Sequence, residues 1–425
     1  MLREPHIPLY DMILCLATTT DLVSPRLANH QKRVAYIAWS LGEELRLSQQ
    51  ERVELILAGT THDLGALSLR ERLDTLNFED TQPQRHAEAG YHILRDFEPF
   101  TEVARLVRFH HIPWADGAGR RNDGEAVPLG SHILHLADRI DVLLDRSASI
   151  LGQAETILAT VRGETGRLFA PELVEAFAAR AVREFFWFDL DSPFIDEFLR
   201  KRTRSFSAAL DLDAMADLAR VFGHAIDFRS PFTAVHSSGV AATAEALARL
   251  AGMSERECRL MHIAGYMHDF GKLALPSEIL EKPEALTETE FDIVKSHAFH
   301  AHRLLEPIAE FDTLNAWISF HHERLDGTGY PFRLDGDSLP LGSRIMAVAD
   351  VFTAIAEDRP YRPGMSPDEA LGVLRQMALD GALDPRLTRL LGEHLPAINT
   401  LRERVQGEAL LAFRTFQQQL DGKTA

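Results

Sequence analysis

The stretch HDFGK at residues 268–272 has a counterpart, HDLGA, 206 residues earlier at residues 62–66. Further histidines and aspartates flank both stretches in the same order, and the spacing between the copies grows only from 206 to 212 residues. The first copy contains His30, His62, Asp63, His86, His110, His111 and Asp138. The second copy contains His236, His268, Asp269, His297, His321, His322 and Asp350. The chain is therefore a tandem duplication of one domain.

Imidazole and carboxylate groups together are typical ligands of borderline and hard transition metals. A single histidine on an apolar helix is more often a hydrogen-bonded core residue, but five separate segments repeating one pattern favour a metal site. Asp138 and Asp350 lie in the apolar segments 133–140 and 345–352. Carboxylates avoid such places unless they are paired or coordinated. Each copy is predicted to hold a metal centre.

The sequence predicts an all-α fold of two tandem helical domains, because alternating strand patterns are absent. Capping boxes at Ser48–Glu51, Ser254–Glu257 and Thr287–Glu290 predict the starts of helices. We expect a first domain over residues 1–190, an interdomain helix or linker over 191–211, and a second domain over 212–425. The basic run 200–202 is predicted to lie on a solvated helix. Residues 401–420 are predicted to form a polar terminal helix, used for packing or as a dimer surface.

Composition narrows the class of protein. A net charge of −18 argues against binding to a nucleic acid polymer, which needs clustered lysine and arginine. No run of eighteen apolar residues is present, so no membrane span is predicted. The N-terminus lacks the features of a signal peptide. The two cysteines, Cys15 and Cys258, form no metal or redox motif, and a reducing cytoplasm is the expected location.

The second copy resembles the HD-GYP family. Its motifs are HDFGK at 268–272 and HHERLDGTGYP at 321–331, accompanied by ILEKP at 279–283 and RPYR at 359–362. The resemblance covers roughly residues 229–391. Four other histidines lie off the matched positions and are interpreted as structural or exposed: His224, His262, His300 and His302.

The resemblance implies an all-helical, metal-dependent phosphodiesterase that linearises cyclic di-GMP, a bacterial second messenger. The seven histidines and aspartates of the second copy would hold two divalent metal ions, iron first and manganese next, with Asp269 bridging them. Asp269 and Lys272 would be catalytic. The substrate would be held by Lys272, Tyr330, Arg359 and Arg362. The metals would activate a water molecule and neutralise charge on the attacked phosphorus.

One position departs from part of the family. Some members have a glutamate four residues before the first histidine, as a ligand for a third metal, and Phe232 stands there in this chain. Two metals are therefore expected, with the linear dinucleotide pGpG as the main product and slow or no conversion to GMP. Two alternatives stay open. One is a 3',3'-cyclic GMP-AMP phosphodiesterase whose first domain is regulatory or a 5'-nucleotidase. The other is a non-catalytic docking or sensor module for diguanylate cyclases or other signalling proteins, with a homodimer possible.

The first copy keeps the metal positions and loses most other matched residues. Ala66 replaces Lys272, the residues 119–121 replace Gly329-Tyr330-Pro331, and the residues 147–150 replace the RPYR segment. Arg26 stands where the extra glutamate would be. Three roles stay open: a metal that stabilises the fold, a regulatory sensor, or a phosphohydrolase acting on another ester such as the linear product. A regulatory or structural role is favoured.

Overall fold

The computed structural model describes residues 7–78, 83–204, 209–230, 233–282, 284–358 and 363–422. Within these residues the regular secondary structure is helical, apart from four two-residue strands, and the predicted all-α class is confirmed. The strands are β1 (Ile7–Pro8), β2 (Arg121–Asn122), β3 (Glu125–Ala126) and β4 (Ala209–Leu210). β2 and β3 form an antiparallel hairpin in which Arg121 pairs with Ala126. None of the helices in this part of the chain is long and apolar enough to cross a membrane.

The chain forms two compact units, which we call the first unit (residues 8–209 and 420–425) and the second unit (residues 1–7 and 210–419). The α-helices of the first unit are α1 (Leu9–Asp21), α2 (His30–Glu44), α3 (Gln49–Thr61), α4 (Leu69–Asp74), α5 (Pro83–Leu94), α6 (Thr101–Arg108), α7 (Leu129–Val142), α8 (Ala154–Gly163), α9 (Pro171–Ala181), α10 (Glu184–Leu190) and α11 (Ile195–Thr203). Short 3-10 turns join several of them, at Pro25–Leu27, Glu98–Phe100, Ala115–Arg120 and Leu151–Gln153.

The α-helices that begin in the second unit are α12 (Leu212–Asp227), α13 (His236–Leu250), α14 (Glu255–Met267), α15 (Ser277–Leu280), α16 (Glu288–Leu305), α17 (Asp312–Ser319), α18 (Leu341–Ala356), α19 (Pro367–Leu379), α20 (Pro385–Glu393) and α21 (Leu395–Asp421). Two 3-10 turns, Phe270–Ala274 and Ala309–Phe311, precede α15 and α17. The long α21 contains the predicted terminal helix, and it packs Phe413 and Phe416 against Phe228.

Each unit places its histidines and aspartates by the same helix arrangement. In the first unit, α2 begins at His30 and packs against both α3, which ends just before His62, and α7, which carries Asp138. In the second unit, α13 begins at His236 and packs against α14, which ends before His268, and against α18. Helix ends therefore carry most of the clustered side chains.

The capping boxes predicted from the sequence are confirmed. Ser48, Ser254 and Thr287 each accept a hydrogen bond from the backbone of the glutamate three residues later, and that glutamate side chain binds back to the cap. Such caps satisfy backbone N–H groups that a helix start leaves unpaired. They fix where α3, α14 and α16 begin, and hence which residue each helix delivers to the site.

The helix after residue 191 lies where the interdomain helix or linker is predicted, and the bounds 191–211 stay a prediction. Ile195 and Leu199 on α11 are buried, and α11 packs against α2 within the first unit. In the basic run, Arg200 and Lys201 are exposed, as predicted, whereas the Arg202 guanidinium lies 3.8 Å from the centre of the Phe198 ring. The helix therefore has one buried apolar face and one exposed basic face.

Candidate metal centres

The seven predicted ligands of the second unit converge on one buried cluster. The residues form two sets, and within each set the possible ligand atoms lie within 4.8 Å of one another. One set is His236, His268 and Asp350, and the other is Asp269, His297, His321 and His322. Nε2 of His236 lies 3.3 Å from Oδ1 of Asp350. The four histidines off the matched positions belong to neither set among the described residues.

Asp269 belongs to the second set and also faces the first. Its Oδ2 atom is 3.2 Å from Nε2 of His268 and 3.7 Å from Nε2 of His236. Its Oδ1 atom faces the other way, 3.4 Å from Nε2 of His297 and 4.0 Å from Nε2 of His321. One carboxylate oxygen thus serves each set, as a ligand shared by two cations requires.

The histidine rings are oriented for cation binding. Nδ1 of His268 lies 2.8 Å from the carbonyl oxygen of Gly265, and Nδ1 of His297 lies 2.6 Å from that of Val294. His321 bonds in the same way to Ile318. A carbonyl accepts only from a protonated Nδ1, so the neutral ring presents an unprotonated Nε2 to the cluster.

The donor set fits a metal. Nε2 of His268 and Oδ1 of Asp269 are buried without a hydrogen-bond partner in the described part of the chain, and burying such atoms unpaired is costly. Burial lowers the pKa of His297 to about 3 and that of His321 to about 4. Burial opposes ionisation of Asp269, but His268 and Lys272 outweigh it and hold the pKa of this carboxyl well below its ordinary value. Burial opposes protonation of His268, but Asp269 outweighs it and raises the pKa of this imidazole, so a metal ion would take the place of a proton there. Neutral imidazoles and ionised carboxylates are the forms that bind metals.

Lys272 reaches the cluster from the 3-10 turn Phe270–Ala274. Its Nζ donates to Oδ2 of Asp269 at 2.6 Å, and its side chain is 24% exposed. Gly271 permits this turn to lie against α16, since a Cβ there would collide with the carbonyl oxygen of His297.

The guanidinium of Arg229 donates to the carbonyl oxygens of Lys272 and Leu275, at 2.9 and 3.0 Å. No role for Arg229 was predicted from the sequence, although Val23 at its matching position marks it as particular to the second copy.

Tyr330 lies beside the cluster, with its ring centre 4.8 Å from that of His322. The loop that carries it is held by Glu323, a buried residue for which the sequence suggested no role. Glu323 accepts hydrogen bonds from the backbone N–H groups of Phe332 at 2.6 Å and Leu334 at 3.0 Å. Six residues named from the sequence lie outside the described residues: Phe232, Pro283, Arg359, Pro360, Tyr361 and Arg362.

Glu357 is a further supporting residue that the sequence did not reveal. It is buried just past the end of α18, and its Oε2 atom lies 3.0 Å from Nδ1 of His236. Gln406 on α21 donates to the other carboxylate oxygen. In the first unit Asp141 does the same for His30, with 2.6 Å between Oδ2 and Nδ1, and Arg33 donates to Asp141. Carboxylates of this kind orient a ligating histidine and raise its basicity.

The first unit also gathers its predicted ligands. His30, His62 and Asp63 form one set, and His86, His110 and His111 form another. Asp138 joins the first set, with Oδ1 3.5 Å from Nε2 of His30. The surroundings differ from those in the second unit, because every member is buried, whereas the side chain of His322 is 26% exposed. The first cluster is closed and the second is open on one side.

Comparison with known proteins matches each unit to the same family. Residues 27–143 and residues 220–387 each match the HD domain family. The 3'3'-cGAMP-specific phosphodiesterase 1 of Vibrio cholerae is 30% identical over 90% of this chain and 91% of its own length. The 3'3'-cGAMP-specific phosphodiesterase 3 of the same organism is 29% identical over 89% of this chain and 92% of its own length. A cyclic di-GMP phosphodiesterase of Pseudomonas aeruginosa is 41% identical over 37% of this chain and 38% of its own length.

A solved structure agrees with this assignment. The crystal structure of a cyclic GMP-AMP specific phosphodiesterase of V. cholerae aligns with a TM-score of 0.63 and 27% identity, over 92% of this chain and 98% of its own. These relatives and this solved structure thus match the chain across both of its HD domains. The resemblance drawn from the motifs is confirmed, and the chain belongs to the HD-GYP family of metal-dependent phosphodiesterases, with two HD domains in tandem.

Proposed function

We propose that the second unit hydrolyses one phosphodiester bond of a bacterial cyclic dinucleotide, with 3',3'-cyclic GMP-AMP as the substrate and the linear dinucleotide as the product. The observation that carries the proposal is the pairing of Lys272 with Asp269 at the open side of a seven-ligand cluster. A cation beside a metal cluster is suited to an anionic phosphate. The first unit has Ala66 at that position.

The order of the two candidate substrates rests on the relatives. The two that match about nine-tenths of the chain, and so extend over both HD domains, carry names specific to 3'3'-cGAMP. Relatives named for cyclic di-GMP match less than half of it, at up to 41% identity. Cyclic di-GMP, the substrate that the motifs alone suggested first, is therefore the second candidate.

The proposed roles follow from the contacts in the second unit. His236, His268, Asp350 and Asp269 would hold one divalent ion, and Asp269 with His297, His321 and His322 would hold the other. Lys272, whose side chain is partly exposed, would turn its ammonium from Asp269 to a phosphate oxygen. Tyr330 would form one wall of the substrate pocket. Arg359 and Arg362, which lie outside the described residues, would bind the second phosphate on the ground of the family resemblance alone.

Bound metals would supply an activated water and offset negative charge at the phosphorus. Two ions per second unit are proposed, with iron preferred and manganese next, because mixed histidine and aspartate ligation suits both. Metal analysis of anaerobically purified protein tests this point. Three ions in a variant whose first-unit ligands His62 and Asp63 are replaced by alanine would contradict a binuclear second centre.

The substrate is tested by competition. Anaerobically prepared protein, loaded with iron or with manganese, is given equal amounts of 3',3'-cyclic GMP-AMP and cyclic di-GMP, and both linear products are followed. We expect the mixed dinucleotide to be consumed first and the Asp269→Asn variant to be inactive on both. Faster consumption of cyclic di-GMP would reverse the order of the candidates. Failure to cleave either would overturn the enzyme proposal and favour a docking module.

A further inference from the structure

Arg139 is a buried arginine that directly follows the metal-site aspartate of the first unit. Its Nη2 and Nε atoms donate to Oδ2 of Asp138, at 2.6 and 3.2 Å, and the residue is only 1% exposed. The matching position of the second unit is Val351, next to Asp350. Among the described residues of the second unit, the printed ion pairs of Asp350 are with histidines and not with a guanidinium, so this contact distinguishes the first unit.

The same arginine fixes a backbone segment across the cluster. It donates to the carbonyl oxygens of Thr75 at 2.9 Å and Phe78 at 3.0 Å, and also to that of Asn77. Thr75 in turn donates its hydroxyl to Oδ2 of Asp63 at 3.1 Å. The corresponding oxygen of the second unit, Oδ2 of Asp269, instead accepts from the partly exposed Lys272. Segment 75–78 and Arg139 thus occupy the side by which a phosphate would approach.

The inward-facing ligand atoms of the first unit nevertheless remain suited to a cation. Nε2 of His30, Nε2 of His62 and Oδ1 of Asp138 are buried without a hydrogen-bond partner in the described part of the chain. Nδ1 of His62 bonds to the carbonyl oxygen of Gly59 at 2.9 Å, which points its Nε2 inward. Unpaired buried polar atoms are costly, and a metal ion would satisfy all three at once.

We propose that the first unit contains a closed, non-catalytic metal site in which His30, His62, Asp63 and Asp138 hold a divalent transition metal that stabilises the fold. Arg139 is the positioning residue that closes it. Because the ion is covered by segment 75–78, it exchanges slowly with solvent, and no phosphodiester can reach it. Of the three roles open to this domain, the contacts favour the structural one over a phosphohydrolase or a sensor of dinucleotides.

The test measures metal release from the full chain, independently of any activity. Manganese-loaded protein is mixed with excess EDTA, and the metal that remains bound is measured over time by elemental analysis. We expect a fast phase from the second unit and a slow phase from the first. His268→Ala should remove most of the fast phase, whereas His62→Ala should remove the slow phase and lower the melting temperature.

Arg139→Val, which copies the residue of the second unit, should accelerate the slow phase at least tenfold and leave the fast phase unchanged. Arg108→Ala is the matched control, since this partly buried arginine of the same unit bonds to Glu88 and Glu125, and it should change neither phase. A single release phase, or a slow phase that survives His62→Ala, would overturn the proposal, as would a slow phase unaffected by Arg139→Val. If Arg139→Val does not fold, the metal release measured on the His268→Ala variant tests the proposal instead. Fast loss of the metal that this variant still binds would exclude a closed site in the first unit.

Discussion

Nδ1 of His236 lies 3.0 Å from the buried carboxylate of Glu357. This bond turns the opposite nitrogen, Nε2, towards Asp350 and Asp269. Glu357→Gln keeps the shape of the side chain but removes its charge. We expect roughly 10- to 100-fold weaker metal binding by the second unit, the usual effect of losing such a partner. Competition with a chelator measures it. The exposed Glu306→Gln serves as the control, and equal affinity in both variants would contradict an orienting role.

Lys272→Ala should separate metal binding from turnover. The variant gives the second unit the residue of the first, Ala66. We expect kcat to fall about 100- to 1,000-fold, as for removal of one donor that stabilises charge in a transition state. Bound metal should not fall, because Asp269 loses a competing cation. Lys282→Ala, whose ammonium bonds to Glu290, should keep full activity. A kcat within threefold of the original would remove Lys272 from catalysis.

Glu323→Gln should loosen the loop that carries Tyr330. Each carboxylate oxygen accepts a hydrogen bond from one backbone N–H group. The amide of glutamine has only one oxygen, and its NH2 group would face the second N–H group, which it cannot accept from. A loss of about 1.4 kcal/mol would raise KM tenfold with a smaller change in kcat. Steady-state kinetics on the cyclic dinucleotide check this, and an unchanged KM would show that the loop does not position the substrate.

Because of Asp227, we expect the free energy of unfolding of the metal-free protein to depend on pH. Its carboxylate accepts from the backbone N–H of Ser237 at 3.0 Å, yet burial raises its pKa from the ordinary 3.8 to about 7. The folded state then holds a proton that the unfolded state has released between about pH 4 and 7. Stability from this group is full below that window and falls by roughly 1.4 kcal/mol per pH unit as the pH rises through it. Asp227→Asn should flatten this dependence in urea unfolding with chelator present. An unaltered slope would contradict the raised pKa.

The side chains of both candidate clusters could be predicted to converge because the duplication repeats them at near-constant spacing and because helix ends carry most of them. The supporting role of Glu357 could not be predicted from the sequence. Glu357 follows Asp350 by seven residues, whereas Asp141 follows Asp138 by three, so aligning the copies does not pair the two carboxylates. Each nonetheless reaches the first histidine of its unit. Arg139 differs from Val351 at the matching position, but this difference alone suggests no role. Its closing role depends on segment 75–78, which only the fold brings over the cluster.

The bond between Gln406 and Glu357 sets an order of events during synthesis. The first unit completes the support of His30 with Asp141, long before the second unit has been made. The support of His236 needs α21, near the end of the chain. Because chains are made from the N-terminus, the residues that surround His30 emerge while the ribosome is still translating the second half. The support of His236, in the centre proposed to be catalytic, can form only after residue 406 has emerged.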